Sequence, residues 1–167
     1  MCIRDRPTGV VAAIAPDESP LLALISLIAP VICAGNTVVA LSGEANPLAA
    51  AILAEVCATS DVPAGVVNIL TGERNELLSH IAGHRDIDAI HAANLTTEQS
   101  TLLRGGIAEN VKRVTVRGAS TRPKAGAQAG RGGGANPVDW FDDAECQNPW
   151  WIEPFVEMKT IWHPASV

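Results

Sequence analysis

The chain has 167 residues, 47% of them hydrophobic and 18% charged, with a formal charge of −6. That length and apolar content suit one domain with a substantial core. The acidic balance argues against a nucleic-acid or anionic-membrane surface, which needs clustered Lys and Arg, and the longest apolar run, Leu21 to Ala34, is too short for a membrane span.

Residues 1–6, "MCIRDR", carry charges without an apolar stretch behind them, so they do not read as a signal peptide. They look like a leader foreign to the fold and are set aside from it. Next comes an alternation of short β-branched runs and longer helical patterns. Strands are predicted at Val10 to Ala15, Thr37 to Leu41, Val66 to Leu70, Ile87 to Ala92 and Arg113 to Val116. Their near-continuous apolarity indicates strands covered on both faces, as in a parallel sheet.

Four helices lie between them. The first is the apolar run from Leu21. The second has Asn46 as N-cap and Pro47 at its first position, with Leu48, Ile52, Leu53, Val56 and Cys57 as its apolar stripe. The third carries Leu77, Leu78 and Ile81 and stops at Gly83, read as a left-handed cap. The fourth runs from about Thr97 to about Asn110, with Thr96 and Thr97 placed to cap it. Strand and helix alternating four times make the fold class α/β, a doubly wound parallel sheet of about five strands over residues 7–118.

The pattern ends at "RGASTRPKAGAQAGRGGGANP", Arg117 to Pro137, which holds six of the 14 glycines and predicts a flexible linker over 119–139. An aromatic tail, 140–167, follows. From Val156 its period-2 alternation predicts a strand that must pair with something. The four cysteines, Cys2, Cys33, Cys57 and Cys146, are widely spaced and form no CxxC pair, which suits a reducing cytoplasm.

Several phrases in order resemble the NAD(P)-dependent aldehyde dehydrogenase family. "PTGVVAAIAP" is similar to its "PxGVVxxIxPWN", "IAPVICAGNTVVALSGE" to "IAPALAAGNTVVLKPSE", "VPAGVVNILTG" to "LPPGVVNVVTG", "HRDIDAI" to "HPDVDKI" and "AENVKRVTV" to "AENLKRVTL". "FVEMKTIW" in the tail resembles the C-terminal "YTEVKTVW" strand. The resemblance covers residues 7 to 118 and then 155 to 163. It implies a Rossmann-like cofactor domain, NAD or NADP as cofactor, and oxidation of aldehydes through a thiohemiacetal on a cysteine. That chemistry needs a thiolate, oxyanion donors, a base and a held nicotinamide.

The residues here depart from that pattern. Where the family has the oxyanion-binding Asn of "PWN", this chain has Glu18, next to Asp17, and no basic residue lies near them in sequence. A carboxylate repels a developing alkoxide, and losing one donor alone costs about 3 kcal/mol, so the turn is expected to be catalytically silent. The ribose-gripping Lys and Glu of "KPSE" become Leu41 and Glu44, leaving Glu44 as the cofactor-binding candidate or an exposed loop acid.

At "FTGS" the chain has Asn94 for Gly and Leu95 for Ser, and Leu95 is expected to crowd a pyrophosphate at the next helix. The general-base Glu of "LELGG" is replaced by Arg117, which accepts no proton. The family's nucleophile belongs to a whole domain that the linker is too short to hold. Cys146, the late cysteine, is ringed by Asp142, Asp143 and Glu145, which disfavour its thiolate. His80 and His84 have HxxxH spacing, but Gly83 parts them, so no metal site is expected.

No catalytic residue is therefore assigned. One reading is an inactive, associating pseudoenzyme or fragment, forming a homo-oligomer or docking on a full-length aldehyde dehydrogenase through the 155–163 strand by edge pairing. The other is a nicotinamide-binding module completed by another chain.

Overall fold

A computed structural model of the chain describes residues 2–118 and 137–161. The elements in order are β1 (Cys2–Pro7), β2 (Val10–Ile14), α1 (Pro20–Cys33), β3 (Thr37–Leu41), α2 (Leu48–Thr59), β4 (Val67–Leu70), α3 (Arg74–Gly83), β5 (Ala89–Ala93), α4 (Thr97–Gly105), α5 (Ile107–Asn110), β6 (Arg113–Arg117), α6 (Asp143–Cys146) and β7 (Val156–Ile161). Strands β2 to β6 form one parallel sheet in the order β4-β3-β2-β5-β6. The chain winds outward from β2 in one direction and returns through β5 in the other, so the order reverses between β2 and β5. In such sheets the loops at the carboxyl ends of those two strands frame a crevice.

Strand β2 is buried from Val11 on because both of its faces are covered. Val11 and Ala13 join Ala23, Leu24, Leu27 and Val31 of α1 in one apolar cluster. Ala12 and Ile14 face Leu78 of α3 and Leu103 of α4 in the other. Small residues along the central strand let the helices approach closely, and each buried Leu or Ile contributes about 2 kcal/mol. Gly106 serves the second layer in the same way: a Cβ there would stand 2.3 Å from the Ala82 carbonyl oxygen, so α4 and α5 can meet α3 only at a glycine.

Several local expectations change. Helix α2 starts at Leu48, with Pro47 as its N-cap and the Pro47 carbonyl accepting from Ala50 and Ala51. It packs through Ala50 and Leu53, whereas Leu48, Ile52 and Val56 of the predicted stripe are exposed. Of the stripe, the Leu53 side faces the core beside Ala50, and the Leu48, Ile52 and Val56 side faces outward. Gly83 is not left-handed and is the last residue of α3. The orphaned carbonyls there are met by buried Lys112, whose Nζ donates to Ala82 at 2.8 Å, His84 at 2.7 Å and Ile81 at 3.3 Å, which removes the need for a left-handed cap. Helix α4 ends at Gly105, and α5 is a separate turn.

The two ends of the chain meet. Strand β1 pairs antiparallel with β7, from Cys2 opposite Ile161 to Pro7 opposite Val156, in a separate two-stranded ribbon. The leader that the sequence sets apart therefore supplies a strand. Its partner lies at the other end of the chain, and a single edge strand has no local signature strong enough to announce it.

The tail belongs to the core of the main domain. Val138, Trp140, Trp151 and Phe155 are buried in the α1-side cluster, so ordered packing resumes inside the predicted 119–139 linker; residues 119–136 of it lie outside the described residues. Buried Asn36, of the "AGN" phrase, joins the parts: its Nδ2 donates to Val31 O at 3.1 Å and to Phe155 O at 2.9 Å, and its Oδ1 accepts from Gly9 N at 2.8 Å. Arg113 of β6 adds Nη1 bonds to the carbonyls of Pro154 at 3.2 Å and Val156 at 3.1 Å.

Candidate functional site

The crevice at the carboxyl ends of β2, β3 and β5 is where the sequence places its candidate residues. The β2 loop turns through Ser19, whose φ of 51° is left-handed, and carries Asp17 and Glu18 outward. The β5 loop turns at Asn94, also at φ 51°; Asn tolerates that conformation better than most residues and so serves where the family pattern has Gly. Asn94 Nδ2 lies 3.4 Å from Glu18 Oε2, spanning the gap between β2 and β5. Glu18 thus faces a neutral amide and solvent, with no cation among its hydrogen-bond or ion-pair partners in the described residues.

Asp17 has a partner that the sequence hides. Arg74, the first residue of α3, is 9% exposed, and its Nη2 donates to Ala15 O at 2.8 Å and lies 3.6 Å from Asp17 Oδ1. Asp17 Oδ1 also accepts from Ala45 N at 3.1 Å. Glu44 Oε1 accepts from the Arg74 backbone N–H, so the one cofactor-binding candidate is engaged in holding the start of α3. The β2 and β3 loops touch: a Cβ on Gly43 would stand 2.7 Å from Pro16 O.

The helix end expected to meet a pyrophosphate is closed on itself. Thr96 Oγ1 accepts from Gln99 N, and Gln99 Oε1 accepts from Thr96 N, a capping box that satisfies two of the orphan donors. Leu95 does not crowd this approach; it is 6% exposed and packs in the α3–α4 cluster.

Arg117, at the general-base position of the resemblance, is 6% exposed and serves the fold. Its Nε donates to His91 Nε2 at 3.2 Å, and its guanidinium carbon lies 4.6 Å from the Trp151 ring centroid. Burial pulls the guanidinium pKa down to about 10, so it stays a cation at neutral pH. His91 is fully buried in β5. With Nε2 accepting from Arg117, Nδ1 carries the proton and donates to Leu27 O at 3.0 Å. Burial first, and then the Arg117 charge, hold its pKa down to about 3, against the Leu27 bond that raises it. The ring packs edge-on to Trp151 at 5.6 Å and tilted against Phe155 at 4.8 Å. His91 has no place among the sequence candidates; a lone imidazole inside an otherwise apolar strand was its only signal.

Cys146 is also held structurally. Its Sγ donates to Asp139 O at 3.3 Å, and burial, then Glu145, Asp139 and Asp142, push the thiol pKa up against a Ser26 contact that lowers it. His80 and His84 are both exposed, and His84 Nδ1 accepts from Asp86 N at 3.3 Å. Among the described residues no three His, Cys, Asp or Glu side chains gather as a metal site would need, and no helix is long and apolar enough to cross a membrane.

Comparisons with known proteins bear on this scaffold directly. The model of the aldehyde dehydrogenase family matches residues 1–123, taking in the residues before Pro7. An aldehyde dehydrogenase of Emericella nidulans is 33% identical over 145 residues, 87% of this chain and 26% of the relative. The NADP/NAD-dependent aldehyde dehydrogenase PuuC of Escherichia coli is 38% identical over 114 residues, 68% of this chain and 23% of the relative. Among solved structures, a variant of aldehyde dehydrogenase C from Pseudomonas syringae, complexed with NAD+ and octanal, superposes with a TM-score of 0.65 at 36% identity, covering 69% of this chain and 24% of that one. This chain thus spans about a quarter of the length of the curated relatives it matches. With the parallel sheet, its order and the shared phrases all in agreement, the chain belongs to the aldehyde dehydrogenase family.

Proposed function

We propose that this chain is a catalytically silent family member, by itself unable to oxidise aldehydes, whose retained property is association. The family reaction would need an oxyanion donor and a base from the positions that Glu18 and Arg117 hold. Glu18 is a carboxylate, and Arg117 is a buried cation committed to His91 and Trp151. The crevice also fits NAD or NADP poorly, because Arg74, Asp17 and Glu44 already bond one another's loops across it.

The observation that carries association is the β1–β7 ribbon. It has two strands, so each keeps an unpaired edge among the described residues, and two strands alone are marginal in water. Addition of a strand from a second copy, or from a full-length aldehyde dehydrogenase, would complete it. The exposed Leu48, Ile52 and Val56 on α2 add apolar surface of the kind that partners cover. The cysteine usage fits a cytoplasmic setting for this association.

The test is solution mass. Light scattering on the purified chain should give a dimer or larger species at micromolar concentration, and deletion of residues 156–167 should return it to monomer. A strict monomer, or an assembly that the deletion leaves intact, contradicts the association.

A further inference from the structure

The contacts at the crevice mouth are continuous from one side of the sheet to the other. Arg74 follows β4, yet its guanidinium bonds Ala15 at the end of β2, so the side chain passes over the carboxyl end of the intervening β3. Asp17 returns from the β2 loop to Ala45 beyond β3, Glu44 closes on the Arg74 amide, and Glu18 meets Asn94 beyond β5. Arg74 Nε is buried without a hydrogen-bond partner among the described residues, so the guanidinium sits there at a desolvation cost. A dinucleotide laid over these strand ends needs the loops apart and an acidic oxygen free for its ribose. Here Arg74, Asp17 and Glu44 Oε1 already bridge those loops.

We infer that the Arg74–Asp17 pair is an internal occupant of the crevice, which excludes a nicotinamide dinucleotide from the strand ends of this scaffold. This rests on the family reading of the fold, but not on silence or association. Electrostatics dictates how to remove the occupant. Among the described residues, three carboxylates, Asp17, Glu18 and Glu44, share the mouth with the Arg74 cation, so deleting Arg74 alone would leave an acidic cluster that repels pyrophosphate. Removing both partners leaves the net charge unchanged and opens the space.

The experiment is a titration of NADH and NADPH into the full chain, the Asp17→Asn variant and the Arg74→Ala/Asp17→Asn double variant, read by cofactor fluorescence and calorimetry. Circular dichroism checks each fold. An occluded state that holds ~90% or more of the population lowers apparent affinity about tenfold or more. The double variant should therefore bind NADH at least about tenfold more tightly than the native chain, with Asp17→Asn between them. If the double variant does not fold, Asp17→Asn decides, since Asp17 lies on the exposed loop. Native binding as tight as that of the variants overturns the inference. So does NADPH binding that is lost with Arg74, which would make the guanidinium a phosphate contact. Because the readout is binding, it stands apart from solution mass and from turnover.

Discussion

His91 and Arg117 show how a buried pair can bind a charged side chain into the fold. The imidazole pKa is held at about 3 in the folded chain, while the unfolded chain titrates near 6.5. Between those values the unfolded state binds more protons, so the His91 contribution is full above about pH 6.5 and is lost progressively as pH falls toward 3. Each unit in that window costs about 1.4 kcal/mol, so going from about pH 6.5 to about pH 4.5 removes about 2–3 kcal/mol. His91→Gln can still accept from Arg117 and donate to Leu27, and it does not titrate. Urea midpoints at the two pH values should fall less for this variant than for the native chain, and equal falls would contradict the assignment. The departure of Arg117 from the family phrase that it resembles is legible in the sequence, because it breaks a pattern. Its partner is not, because nothing in "IDAIHA" says that the ring faces Arg117 and not solvent. Arg74 is hidden for the same reason: it lies 59 residues from its acceptor Ala15, and only the β4-β3-β2 order brings the two together.

At the scale of elements, the five parallel strands and the first three helices are legible to within a residue or two, because buried parallel strands are continuous apolar runs and their helices are punctuated. The misses sit where a tertiary contact replaces a local one. Gly83 reads as a left-handed cap, but Lys112 does that work from 28 to 31 residues away. Lys112 is 2% exposed, and replacing it with Met keeps the aliphatic length while leaving three carbonyls without that donor. Hydrogen bonds from a charged group contribute about 1.5–3 kcal/mol, so Lys112→Met should destabilise the chain by about 3 kcal/mol in chemical denaturation. A change within about 0.5 kcal/mol would mean that water replaces the ammonium at no cost. The α2 stripe is legible only in part for a related reason: hydrophobic periodicity identifies a helix, but the apolar band is wider than the buried face, and only its Leu53 side, with Ala50, packs on the core.

For the whole molecule, the sequence reveals a doubly wound sheet and a tail strand but not that the tail closes the domain. Trp140, Trp151 and Phe155 cover the sheet beside α1, Asn36 and Arg113 bond the tail backbone, and β1 meets β7. Composition could say only that an aromatic segment follows a glycine-rich one. What results is a family scaffold in which Glu18, Glu44, Arg74 and Arg117 all have partners within the fold, the basis on which we propose that it is silent. The most direct measurement is NADH or NADPH formation by the purified chain over a panel of aliphatic and aromatic aldehydes. No protein-dependent rate above the blank is expected with either cofactor. Sustained turnover that scales with the concentration of this chain would contradict the account.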